Sequence, residues 1–320
     1  SEVREHEDDQ YCYQDRNSSC KKDSQSTSIY ITLYIFFSLI SVFTAFLNLL
    51  VIISISLFKH LHTPTNLLIL SLAVTDLLVG LIVIPAMTVA IMQPCWLFGE
   101  YFCTLLLYVT FLCASLSLGN LILISVDRYV AVCDPLLYHT KVTIARMKYC
   151  IFITWCCCVT YVVVFINITV KVYVPRCFEE CYFGEGDIWI TMMDLIFTVV
   201  MPYSIIMTLY FKIFLVARSQ ARQVFSKGVA SVSGVKTVQT GISKGKAEKT
   251  LGIVVFNYLV CWNPFFYLFY FFSGSYLASA IFSFLPLINS LINPIIYAFF
   301  YPWFKLTAKR ILTLKLSYLL

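Results

Sequence analysis

Hydrophobic positions along this chain run in long unbroken stretches, with neither strict alternation nor a one-sided helical stripe. Seven such stretches lie at about Tyr30–Leu57, Leu67–Met92, Phe102–Val126, Cys150–Val170, Ile188–Phe211, Thr250–Phe272 and Ala278–Tyr301. Each is near the roughly 20 residues a helix needs to cross a bilayer. No water in the hydrocarbon satisfies a backbone N–H or C=O, so each span must close its own hydrogen bonds as a helix. The pattern predicts an all-α membrane protein: a seven-transmembrane helix bundle with a short amphipathic C-terminal helix. The expected organisation is an extracellular N-terminal segment at 1–29, the bundle at 30–301, and the amphipathic helix with a cytoplasmic tail at 302–320. Pro85, Pro202, Pro264, Pro286 and Pro294 fall inside spans, where they should kink helices rather than end them. After the last span, Phe304, Leu306, Ile311, Leu312 and Leu314 alternate with Lys305, Lys309 and Arg310. That spacing predicts a helix lying on the membrane surface.

Composition agrees. The chain has 320 residues, 60% hydrophobic and 12% charged, where soluble domains are about 25% charged. Charge placement adds orientation. The links after spans one, three and five, with the tail, carry most of the basic residues, among them Lys59, Arg146, Lys212, Arg218, Lys236, Lys249 and Arg310. The other side is acidic, with Glu2, Glu5, Asp8, Glu100, Glu179, Glu180, Glu185 and Asp187. The positive-inside rule places the N-terminus outside. The net charge of +6 then reflects a basic cytoplasmic face, suited to anionic headgroups and a cytoplasmic partner. No basic–aromatic platform suggests nucleic acid. The polar, acidic opening SEVREHEDDQ does not read as a signal peptide.

On the expected outer side lie six of the 13 cysteines, Cys12, Cys20, Cys95, Cys103, Cys177 and Cys181. An even count in an oxidising compartment suggests three disulfides, with about 15 pairings open. Asn17-Ser18-Ser19 is an outer glycosylation sequon.

The polar residues within the spans carry the chemistry. Asp76 and Asp194 are the clear acids there, and the apolar runs hold no lysine or arginine. A mid-helix aspartate costs about 2.5–3.5 kcal/mol on insertion scales, so it is paired, neutralised or used. Candidates for its compensation are a bound cation, a proton, or neighbouring hydroxyls and amides. Ser117, Asn289 and Asn293 lie at depths that converge on Asp76, a set that could hold a small ion such as sodium, a water network, or simply itself. Asp194 precedes Pro202 by eight residues, about 12 Å further out at 1.5 Å per residue. Trp262, Phe265, Phe266 and Phe269 share one face of span six. An acid opposite an aromatic wall suits an ammonium group, by ion pairing and cation–π contact. A hydrogen-bonded, purely structural Asp194 is the alternative.

Further motifs carry a resemblance. Asp127-Arg128-Tyr129 ends span three, Cys261-Trp262-Asn263-Pro264 sits in span six, and Asn293-Pro294-Ile295-Ile296-Tyr297 ends span seven. With Asn48, Asp76, Trp155 and Pro202 they resemble the rhodopsin-like (class A) G-protein-coupled receptors. NSLINPIIYAFFYPWF, residues 289–304, resembles the fingerprint of the trace amine-associated receptors. SLAVTDLLVGLIVIP and CWLFGEYFC are similar to that family too. The resemblance implies an amine ligand and a heterotrimeric G protein of the stimulatory or olfactory class, in the plasma membrane of sensory cilia. It implies disulfides Cys103–Cys181 and Cys20–Cys177, which would leave Cys12 for Cys95. Arg128 would face the G protein and Trp262 would form the pocket floor, with Pro202, Tyr258, Asn293 and Tyr297 as the relay below.

One departure shapes the ligand reading. The position 18 residues before Arg128, where most amine receptors carry an acidic counter-ion, is Thr110. Leu287 stands where such receptors usually keep a bracing tyrosine. Asp194 matches a span-five acid used by some fish members, so the chain resembles a fish-type subgroup with the amine turned toward spans five and six. Phe111, Ala114, Phe265, Phe266 and Phe269 would shape the apolar slot. A contact from Glu179, Glu180, Glu185 or Asp187 would favour a diamine or polyamine. The rival within this class is a receptor for a non-amine ligand. No nucleophile elbow or zinc motif suggests an enzyme, no repeated halves suggest a transporter, and no cofactor beyond the structural sodium is expected.

Overall fold

The computed structural model describes residues 27–92, 99–169, 188–228, 252–267 and 276–313. Every regular element among them is helical, as the unbroken apolar runs require. Span one is Thr27–Leu57, beginning three residues before the expected boundary. A short turn, Lys59–Leu61, leads to span two. There Thr63 caps the helix, accepting from the Asn66 N–H at 3.2 Å, and Pro64 takes the first helical position, where a missing N–H costs nothing.

Prolines act differently from span to span. Span two runs Pro64–Leu78, then a π-helical turn Val79–Val83, then Ile84–Met92. Span five repeats the device, with Ile188–Leu195, a π turn Ile196–Val200, and Met201–Gly228. In each, the residue before the proline bonds five positions back, Ile84 N–H to Val79 and Met201 N–H to Ile196. A proline brings no N–H and crowds the carbonyl four residues earlier, and the wider turn removes that conflict. The extra residue turns the outer half by about 100° relative to an unbroken 3.6-residue helix. In span five the turned segment is the one that carries Asp194. Span seven, Tyr276–Phe300, continues through Pro286 and Pro294 as helix.

Span three, Gly99–Cys133, and span four, Ile144–Thr169, outrun their apolar stretches, so Asp127 and Arg128 are helical. The short helix Pro135–Lys141 joins them. The described part of span six is Gly252–Tyr267. Span seven bends by 104° into the final helix, Pro302–Leu312. Phe304 and Thr307 of that helix are buried, and Lys305, Lys309 and Arg310 are exposed; Leu306 and Leu312, expected on the apolar side, do not pack on the bundle and are exposed as well.

Small residues set the closest approaches, as expected where lipid is as apolar as the side chains. A Cβ on Gly80 would lie 2.8 Å from the Ala45 nitrogen, and one on Gly119 would lie 2.6 Å from Thr154 Cγ2. Buried polar groups tie spans together. Asn48 Nδ2 donates to the Ser290 carbonyl at 3.0 Å, and Trp155 Nε1 donates to Ser71 Oγ at 3.0 Å. Leu72, Leu121, Ile124, Ile206, Val254, Tyr258 and Tyr297 fill the centre. Phe36, Phe43, Phe152 and Phe211 face outward, where a bilayer would cover them.

Candidate functional site

Asp194 lies on the last turn before the span-five π segment and is 6% exposed. Its described side-chain partner is a neutral donor: the Tyr161 hydroxyl of span four donates to Asp194 Oδ1. Thr198 donates to the Asp194 carbonyl at 2.7 Å. A span-four hydroxyl is thus among the groups that meet this carboxylate. Tyr161 stacks on Phe165 with centroids 5.8 Å apart, and Phe165 lies 5.6 Å from Phe111 of span three. Phe111 is thus brought to the Asp194 side by way of span four.

The span-six aromatics form a second group. Trp262 stacks on Tyr258 at 5.4 Å and lies 5.4 Å from Phe266 and 5.9 Å from Phe265. Tyr203 of span five joins it at 6.3 Å from Phe266 and 6.4 Å from Tyr258. Ala114 packs against the core that contains Trp262. Thr110 stands about one helical turn further along span three. Thr110 Oγ1, Trp262 Nε1 and the Tyr203 hydroxyl are buried atoms without a hydrogen-bond partner. They offer neutral polar contacts, and none can serve as counter-ion to an ammonium.

Below lies Asp76, fully buried. Asn293 Nδ2 donates to Asp76 Oδ2 at 2.9 Å, as expected. Asn289 Oδ1 accepts from Asn257 Nδ2 of span six at 2.7 Å. Ser117 is buried on span three. Asp76 Oδ1 and Asn293 Oδ1 are buried acceptors without a close donor, and the Ser290 hydroxyl also lies within reach of the Asp76 carboxyl. A set of surplus oxygens fits a small hard cation better than it fits a closed hydrogen-bond network. No group of three or more metal-ligating side chains occurs among the described residues, so such an ion would rely on amide oxygens and water.

At the far end, Arg128 is held in a clamp. It donates Nε to Asp127 Oδ2 at 3.1 Å, pairs again through Nη2, and donates Nη2 to Thr65 Oγ1 at 2.7 Å. Thr65 donates to Asp127 Oδ2 at 2.9 Å, and Tyr138 donates to Asp127 Oδ1 at 2.8 Å. Burial, then the Asp127 carboxylate, push the Tyr138 hydroxyl above its ordinary range, so it remains a donor. Tyr129 takes the Lys212 ammonium over its ring at 5.8 Å. Pro202 and Tyr297 are buried, and the hydroxyls of Tyr210, Tyr297 and Tyr301 lack partners.

Several residues were not singled out from the sequence: Tyr161, Phe165, Tyr203, Thr65 and Tyr138. A signal existed for the first two. Tyr161 and Phe165 are four apart on one helical face, at a depth in span four similar to that of Asp194 in span five. Thr65, in the first turn of span two, and Tyr138, in the short joining helix, fall outside the apolar runs, where no periodicity marks them. Phe269, Glu179, Glu180, Glu185, Asp187, Asn17, Cys12, Cys20, Cys95, Cys177 and Cys181 lie outside the residues whose side chains are described. Cys103 is disulfide-bonded. The other described cysteines are free thiols, so its partner is one of Cys12, Cys20, Cys95, Cys177 and Cys181.

Residues 47–297 match the family described as 7 transmembrane receptor (rhodopsin family). The chain is 36% identical to trace amine-associated receptor 1 of Macaca mulatta, covering 94% of each chain. It is 35% identical to trace amine-associated receptor 13c of Danio rerio, covering 98% of this chain and 95% of that one. With trace amine-associated receptor 8c of Rattus norvegicus the identity is 38%, over 96% and 93%.

Proposed function

The chain belongs to the rhodopsin family of seven-transmembrane receptors, among the trace amine-associated receptors, and on that premise we propose that it binds a cationic amine through Asp194. It is a multi-pass plasma-membrane receptor for a small molecule, coupled to a heterotrimeric G protein, and not an enzyme. The observation that carries the ligand reading is the buried Asp194, 6% exposed, whose described side-chain partner is a neutral hydroxyl, while Thr110 occupies the span-three position. An ammonium brought to this buried carboxylate would form a charge-assisted contact. Phe111, Ala114, Trp262, Phe265, Phe266 and Phe269 would line the apolar slot. A second ammonium would meet Glu179, Glu180, Glu185 or Asp187, making a diamine or polyamine the fuller ligand class.

Signalling follows as a population shift. The amine favours the open state only by its differential affinity for it. Contacts on Phe265, Phe266 and Trp262 would supply that difference, and Arg128 would leave its clamp to meet the G protein. The further reading is a fish-type olfactory receptor, its N-terminus outside, in sensory cilia, coupled to a stimulatory G protein that raises cAMP. We also infer a structural sodium ion at Asp76, Ser117 and Asn293, where it would neutralise the buried carboxylate. Of the disulfides, Cys103–Cys181 accords with the bonded state of Cys103, though the choice of Cys181, like Cys20–Cys177, Cys12–Cys95 and glycan at Asn17, rests on the sequence.

The second reading, a non-amine ligand with Asp194 structural, is favoured by the Tyr161 hydrogen bond itself. One experiment separates the two. In cells carrying a cAMP reporter, monoamines, diamines and polyamines are applied to wild type and Asp194→Asn. Loss of one charge-assisted contact costs about 1.5–3 kcal/mol, a potency loss of roughly 10- to 150-fold. Unchanged potency in Asp194→Asn selects the structural reading.

A further inference from the structure

Asp194 meets the rest of the bundle through span four. The Tyr161 hydroxyl donates to its Oδ1. The Tyr161 ring lies nearly parallel to Phe165, at 18° and 5.8 Å, and Phe165 leans on Phe111 at 5.6 Å and 42°. Val162 and Ile166 back this ladder as buried residues, with Leu107 from span three. The hydroxyl therefore sits on a ring that cannot swing away without leaving its stack.

We propose that Tyr161 is the positioning residue of the amine site. Its hydroxyl fixes the Asp194 carboxylate, and its ring with Phe165 and Phe111 forms the wall along which the ligand's apolar body lies. The inference rests on the reading of Asp194 as the ammonium-binding group. An ionised carboxylate offers about four lone-pair sites, so one hydroxyl orients it without exhausting its capacity. A neutral donor such as this hydroxyl leaves the carboxylate's charge in place. The ring faces present the negative side of their quadrupole to a cation. The ammonium is thus seated among spans three, four and five, with span six meeting the other end of the ligand. The opposing arrangement, in which the hydroxyl plugs the site and must be displaced, predicts the opposite sign on removing it.

The test uses the full-length receptor with parallel cAMP and promiscuous-G-protein calcium reporters. The panel is 2-phenylethylamine, 1-aminopentane, 1,5-diaminopentane and spermidine, and the member of lowest EC50 on wild type is the probe. Tyr161→Phe is expected to raise that EC50 about tenfold, the lower range for a hydrogen bond to a charged group, with maximal response and surface expression retained. In the Asp194→Asn background the same substitution should add nothing. If Asp194→Asn abolishes the response, Asp194→Glu takes its place in the cycle. If Tyr161→Phe fails to reach the surface, Phe165→Leu, which breaks the stack and keeps the hydroxyl, is read with the same expected sign. An EC50 unchanged or lowered by Tyr161→Phe overturns the proposal, as does an equal loss in both backgrounds. A potency unaffected by Asp194→Asn, or no response to any member of the panel, overturns the amine reading and the inference with it. A loss in Asp194→Asn without one in Tyr161→Phe overturns the inference alone.

Discussion

Thr65→Val should raise ligand-independent signalling. Arg128 is 9% exposed and must leave its clamp before any partner can touch it. Thr65 holds that clamp with one hydroxyl, accepting from Arg128 Nη2 at 2.7 Å and donating to Asp127 Oδ2 at 2.9 Å. Valine keeps the shape and removes both contacts. Asp127 retains Tyr138 at 2.8 Å and Arg128 retains Asp127, so the net loss is that of about one hydrogen bond to a charged group, roughly 1.5–3 kcal/mol. If the clamp exists only in the closed state, the open-to-closed ratio rises about 10- to 150-fold. An open state populated at about 0.1–1%, ordinary for a minor conformer, would then reach between about 1% and about 60%. The assay is basal nucleotide exchange on the G protein in membranes without amine, at matched receptor density. Thr75→Val is the control: its hydroxyl donates to the Ser71 carbonyl at 3.1 Å in the same span, remote from Arg128. Basal exchange that stays level in Thr65→Val, or rises equally in Thr75→Val, refutes the reasoning.

Other consequences are as specific. Gly80→Ala should destabilise the bundle by about 1–3 kcal/mol as overpacking, because the new Cβ would meet Ala45 backbone at 2.8 Å. Gly252→Ala, whose Cβ would meet Tyr210 at 3.6 Å, should be neutral or stabilising by up to about 1 kcal/mol; detergent melting curves rank the pair, and the reverse order refutes the packing account. Trp155→Phe should cost about 0.6 kcal/mol, the mean for hydrogen bonds between membrane helices, by losing the 3.0 Å bond to Ser71, read in the same melts. Tyr138 is pushed upward by burial and by Asp127, so its bond to Asp127 is present below its raised pKa and lost only above it. Basal exchange should therefore be flat from about pH 7 to 9, the ordinary tyrosine value being about 10, and a rise within that window that Tyr138→Phe abolishes counts against it.

The seven spans, their order and the C-terminal amphipathic helix were legible in the sequence, because a bilayer forces unbroken apolar length onto any spanning helix. The acids Asp76 and Asp194 were legible for the same reason, since each is an exception to that length. Thr110 was legible as an absence, against the pattern of the motifs around it. Composition could not show which hydroxyl meets which acid. Tyr161 and Asp194 are 33 residues apart, and Thr65 and Asp127 are 62 apart; their meeting depends on how spans rotate and pack. The π turn before Pro202 sets that rotation for Asp194, and a proline in sequence signals a break without saying whether the helix bends, widens or runs on, as it does through Pro286 and Pro294. Sequence alone thus determined that a costly charge sits in span five. Tertiary structure decided what holds it, because a side chain's partner is set by the face its helix turns inward, and that face depends on every neighbouring span at once.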